Sequence, residues 1–98
     1  MTKFIALYKR PEDPEAFDRH YREVHMPLLI KTPGLERAEF MHVSGVMGDS
    51  PYYGIAEMYF VDAAAFKTAS RSPEWRAAGK DLMEFAGSIV TLLVGESE

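Results

Sequence analysis

The run Tyr21-Arg22-Glu23-Val24-His25-Met26-Pro27-Leu28-Leu29 constrains this chain more than any other stretch. Phe17, Tyr21, Val24, His25 and Leu28 recur at spacings of three and four, which marks one face of a helix. That face is expected to bury against the rest of the domain, so it carries an ionisable imidazole inward. Pro27 lacks an N–H and pushes Met26 away from helical backbone angles. The helix is therefore predicted to end or kink just past His25, which frees backbone groups beside the ring. At a helix C-terminus the macrodipole favours charged histidine, whereas burial favours the neutral form. The sequence leaves that balance open and makes His25 the residue to explain.

The rest of the chain arranges itself around this helix. Residues 2–9 read as a strand, with Phe4, Ala6 and Tyr8 on one face and Ile5 and Leu7 on the other. Asp13 is a good N-cap and Pro14 suits the first helical position, so a helix is predicted from there to about His25. Residues 31–34 form a turn. A second strand is expected over 35–43, a glycine-containing connection over 44–51 and a third strand over 52–61. In the third strand Gly54, Ala56, Met58 and Phe60 are the more uniformly apolar set and should face the helices. Asp62 caps a short helix, and Ser72-Pro73 opens a longer one with Trp75, Ala78, Leu82 and Phe85 as its buried stripe. Gly87 stops it. Residues 88–94 form a last strand, with Ile89, Thr91 and Leu93 opposite Val90, Leu92 and Val94; 95–98 are a polar tail.

The order strand–helix–strand–strand–helix–strand predicts an α+β, ferredoxin-like βαββαβ domain spanning residues 1–98: a four-stranded antiparallel sheet with helices on one face. The helices cover only one side. Ile5, Leu7, Met41, Val43, Ile55, Tyr59, Ile89 and Leu93 are assigned to the other. An apolar face of that extent calls for a second copy packed sheet to sheet, a homodimeric α+β barrel.

Composition narrows the function classes. The net charge is −4 with dispersed basic residues, which argues against nucleic acid. There is no cysteine, hence no disulfide framework, thiolate metal site or cysteine nucleophile. No segment approaches the ~20 apolar residues of a membrane span, and the opening Thr2-Lys3-Phe4-Ile5 is not signal-like. A cytoplasmic chain is the expectation. Aromatic residues make up 12% and there are six methionines. Such adaptable apolar surface suits a core plus an oligomer interface, or a pocket for a small apolar or aromatic ligand.

The opening strand ending Tyr8-Lys9-Arg10 and the motif Phe17-x-x-x-Tyr21-x-x-x-His25-x-Pro27-Leu28 resemble the EthD family of dimeric α+β barrel proteins. So do Pro33-Gly34-Leu35, Pro51-Tyr52-Tyr53, Ala56-Glu57-x-Tyr59-Phe60 and the closing Thr91-Leu92-Leu93-Val94-Gly95. The family is named for a protein associated with alkyl ether degradation. Similar barrels include methylmuconolactone isomerase, polyketide-tailoring enzymes and small cofactor-free monooxygenases. The resemblance implies a cavity between sheet and helices that takes aromatic, polyketide-like or lactone ligands. No G-x-G-x-x-G turn and no G-x-S-x-G elbow is present, so neither dinucleotide binding nor serine catalysis has a motif.

His25 is the candidate acid/base group, with Tyr8, Tyr21 and Trp75 as candidate substrate-binding residues. Histidine titrates near neutrality and suits proton transfer beside a carbonyl, while tyrosine hydroxyls can donate to a developing oxyanion. The competing reading is a structural His25 satisfied by a backbone carbonyl freed at Pro27. His20 and His25 lie five apart, about 140° round an α-helix, which is not a zinc-helix spacing. No metal and no organic cofactor is expected. Glu57, alone in an apolar strand, is expected to pair with Arg37 or to meet a second copy. Two functions remain open: a cofactor-independent enzyme using His25, or a non-catalytic hydrophobic-ligand-binding or accessory protein to an oxygenase.

Overall fold

The computed structural model describes residues 1–45 and 50–98. Strands β1 (Thr2–Lys9), β2 (Arg37–His42), β3 (Tyr52–Phe60) and β4 (Val90–Glu96) form one antiparallel sheet in the order β2-β3-β1-β4. Helices α1 (Pro14–His20) and α2 (Met26–Leu29) flank a π-helical turn, Tyr21–His25; α3 (Ala63–Ala69) and α4 (Pro73–Ala86) complete the second half. This is the expected ferredoxin-like topology. Positions 46–49 of the expected connection 44–51 lie outside the described residues.

Local chemistry sets the helix starts as predicted. The Asp13, Asp62 and Ser72 side chains accept from the N–H groups of Ala16, Ala65 and Trp75 at 3.1, 2.8 and 3.1 Å. Gly34 takes φ +83° in the turn after α2, a backbone angle that side chains disfavour. Phe4, Ala6 and Tyr8 share the helix-facing side with Gly54, Ala56, Met58 and Phe60, as the alternation required. Gly54 is needed for space: a Cβ there would lie 2.6 Å from the Phe40 ring.

Four expectations need correction. The first helix does not stop at about His25. It runs on to Leu29, because the turn before the proline widens: the Met26 N–H bonds the Tyr21 carbonyl, five residues back. This wider turn accommodates a proline that an unbroken α-helix would reject. The extra residue also resets the buried face. Phe17, Tyr21, His25 and Leu29 are in the core, whereas Val24 is 41% exposed. Second, β4 starts at Val90, two residues later than predicted. Ile89 lies in the preceding turn, donates its N–H to Ala86, accepts from Lys9 and packs against the helix-side core rather than on the outer face. Third, the polar tail is largely strand: Gly95 and Glu96 pair with Lys3 and Thr2, and Thr2 Oγ1 donates to Glu96 at 2.7 Å. Fourth, Glu57 does not pair with Arg37. It accepts from the Tyr59 hydroxyl at 2.7 Å, while Arg37 lies over the Tyr59 ring and bonds Glu39 at 3.4 Å.

No described helix packs on the outer face of the sheet. Met41 and Leu93 are 55% and 47% exposed there, beside half-buried Ile5, Leu7 and Ile55.

Candidate functional site

The π-helical turn decides what His25 meets. In an α-helix five residues advance the side chain about 140°; when one of them is absorbed by a wider turn the residual offset falls to about 40°. His20 and His25 therefore point the same way, toward α4. There Asp81 receives both. His25 Nδ1 donates to Asp81 Oδ2 at 3.0 Å, and His20 Nε2 donates to Asp81 Oδ1 at 2.8 Å. A carboxylate only accepts, so the facing nitrogen of each ring carries its proton. For His25 this fixes the tautomer with a bare Nε2.

The His25 ring is 5% exposed and borders a cavity of about 100 Å³ between sheet and α4. Tyr8 and Trp75 line the same cavity, along with Phe4, Met58 and Leu82. With Nδ1 committed to Asp81, Nε2 is the nitrogen His25 can offer there. Three of the four candidates thus meet at one cavity. Tyr21 stands one layer back, its ring 5.3 Å from His25 and 6.1 Å from Tyr8. The Tyr21 hydroxyl is buried and has no hydrogen-bond partner among the described residues. Trp75 is held edge-on against Phe4, with ring centroids 4.9 Å apart, so it is at once core and cavity wall.

Burial is the largest influence on His25 and lowers its proton affinity. The hydrogen bond and charge of Asp81 oppose this, and His20 adds to the lowering. The contest left open between dipole and burial goes to burial, since the helix continues past His25 and gives it no C-terminal carbonyls. Burial also pushes the Tyr8 and Tyr21 phenols well above their ordinary range, so both are neutral hydrogen-bond donors. An apolar hollow thus holds one uncharged imidazole base and at least one phenol donor.

Asp81 escaped the sequence reading. It sits three residues after Ala78 and four before Phe85, on the margin of the buried stripe of α4, and that placement was the available signal. His20 was set aside because its spacing to His25 was measured on an α-helix. His42 donates to Asp18, 24 positions away in sequence, at 3.0 Å; Asp18 also accepts from the Tyr53 hydroxyl at 2.9 Å. Among the described residues no group of three or more His, Asp or Glu side chains is placed to hold a metal ion. No described helix is long and apolar enough to cross a membrane.

Known proteins can now be set beside this geometry. The crystal structure of an ethyl tert-butyl ether D (EthD) family protein from Bacillus halodurans is 45% identical, with a TM-score of 0.94 over 100% of this chain and 99% of that one. An uncharacterized 11.0 kDa protein from the thcB–thcC intergenic region of Rhodococcus erythropolis is 34% identical over 99 residues, 100% of this chain and 96% of that protein. At low identity the likeness is of fold alone. SnoaB, a cofactor-independent oxygenase from Streptomyces nogalater, is 14% identical with a TM-score of 0.69, covering 99% of this chain and 92% of that one. A dimeric ferredoxin-like protein of unknown function from Jannaschia is 18% identical with a TM-score of 0.71, covering 99% and 100%. Residues 9–89 match the EthD domain, and the chain belongs to the EthD family.

Proposed function

We propose that this protein is a cofactor-independent enzyme that binds a small ring-containing ligand beside Tyr8 and Trp75 and moves a proton at His25. The observation that carries the reading is the Asp81–His25 pair at the wall of an apolar cavity. Asp81 fixes the ring and stabilises the imidazolium that forms when Nε2 takes a proton. Tyr8 is the donor for the oxygen on which charge develops, as an enolate or phenolate. Tyr21 backs the site from one layer behind, its ring against His25 and Tyr8. The cavity volume of about 100 Å³ favours a single small ring or lactone over a fused polyketide. The cofactor-independent oxygenase with this fold makes chemistry by side chains alone a reasonable class for it.

The working unit in this reading is a homodimer. The uncovered outer face and the dimeric neighbour of the same fold support it. The reading also takes the cytoplasm as its compartment, which suits a chain with no cysteine.

The test is incubation with a panel of phenols, quinols and lactones, followed by analysis for products. Conversion by the purified protein alone is expected, and His25→Ala should lower it by about 10²–10⁴-fold while the dimer persists. Full activity in that variant would falsify the assignment. A binding or accessory protein to an oxygenase is the second reading. The apolar lining of the cavity supports it, since Phe4, Leu29, Met58 and Leu82 can hold a ligand without any chemistry. Saturable binding of the same panel without product would select it.

A further inference from the structure

The acid/base role proposed above uses His25 and one oxygen of Asp81. It leaves the second oxygen, and His20, without a task. His20 is not wedged in packing: its side chain is 33% exposed, against 6% for His25. It borders a surface cleft, separate from the cavity, whose other charged groups are Arg10, Glu12 and Asp13. The carboxylate thus stands between a wet imidazole and a dry one.

One carboxylate carries one negative charge and can balance one imidazolium. A second would leave excess positive charge in the interior, with the inner ring stripped of water. We propose that near neutral pH His20, Asp81 and His25 act as a unit that holds at most one added proton, seated at His20, and that His20 is thereby a positioning residue keeping Nε2 of His25 bare between turnovers.

Three observations support the seat. His20 keeps access to water, so its charge stays hydrated. Around it Glu12 and Asp13 outnumber Arg10, so the cleft favours a cation. Among the described residues the charged groups that act on His25, by contrast, are Asp81 and His20, and its phenolic neighbours Tyr8 and Tyr21 are neutral. A charged His20 both repels a proton on His25 and engages the carboxylate that would stabilise one. The π-helical turn is what places the two rings on the same acceptor.

The proposal rests on the functional reading only in naming Nε2 as the working atom. Its test needs no substrate. Imidazole nitrogens of the ¹⁵N-labelled chain are followed by NMR from about pH 8 to about pH 5, with the three histidines assigned by His20→Gln and His42→Gln. In the wild type His25 should be neutral and protonated at Nδ1 while His20 charges, and should itself charge only at lower pH. In His20→Gln the amide can still donate to Asp81 Oδ1 but cannot charge, so His25 should take its proton at higher pH than in the wild type. Overturning results are a wild-type His25 that charges before His20, or a His25 midpoint that stays or falls in His20→Gln. If His20→Gln does not fold, His25→Gln and His42→Gln assign the three rings instead, and the wild-type order decides the matter. If the spectra behave as expected but His25→Ala retains full conversion, the enzymatic reading fails and the one-proton unit stands.

Discussion

His25 shows how burial and a single partner divide control of one side chain. Burial lowers its proton affinity, and Asp81 restores part of it while choosing the tautomer. Asp81→Asn should therefore be nearly as damaging as loss of the imidazole. The amide can present an N–H to Nδ1, which moves the ring proton to Nε2 and removes the base. The measurement is turnover on any substrate found, with ¹⁵N spectra to show the tautomer change. The same burial has a stability consequence. In the folded protein His25 binds its proton below the ordinary value of 6.5, so the unfolded chain is the better proton acceptor between the two values. The contribution of neutral His25 is complete above pH 6.5 and is lost as pH falls toward the folded value. His25→Gln should accordingly flatten the fall in Tm below that pH, as thermal unfolding across a pH series would record. A slope as steep as that of the wild type would contradict it.

Secondary-structure elements were more legible in the sequence than the way they wind. Caps at Asp13, Asp62 and Ser72 set the helix starts, and alternation assigned the faces of β1, β2 and β3. The π-helical turn was not read, because periodicity was judged against 3.6 residues per turn. Phe17, Tyr21, His25 and Leu29 repeat strictly every four. On an α-helix that series drifts about 120° over its length, but with one residue absorbed it drifts only about 20°. Four such residues, with a proline among them, were the clue. Ile89 was misplaced for a different reason: alternation was extended backward through a turn that only the Ala86 and Lys9 backbone bonds reveal. Glycine at 54 is an element-level requirement, since the Phe40 ring crosses that spot and packs 4.4 Å from Tyr21. Gly54→Val should cost about 1–3 kcal/mol, visible as a lower denaturant midpoint. An unchanged midpoint would mean that Phe40 has room to move.

At the scale of the molecule, helices shield one side of the sheet and leave Met41 and Leu93 in the open on the other. Leu93→Asp sets a charge in the middle of that surface. Sedimentation should then report a monomer for the variant and a dimer for the parent, with far-UV circular dichroism little altered because Leu93 supports no core contact on the helix side. A dimer that tolerates the aspartate would place the subunit contact elsewhere.

The widened turn between α1 and α2 also says something about how such a pair of imidazoles could arise in descent. One residue more or less is one codon. Deleting Glu23 would leave a helix able to coil regularly, with His20 and His25 four positions apart and offset by the same 40° or so as now, so both would still face the shared acceptor. The pair can thus predate the wide turn: two histidines four apart on a regular helix keep their shared acceptor when one inserted codon is taken up as a π-helical turn.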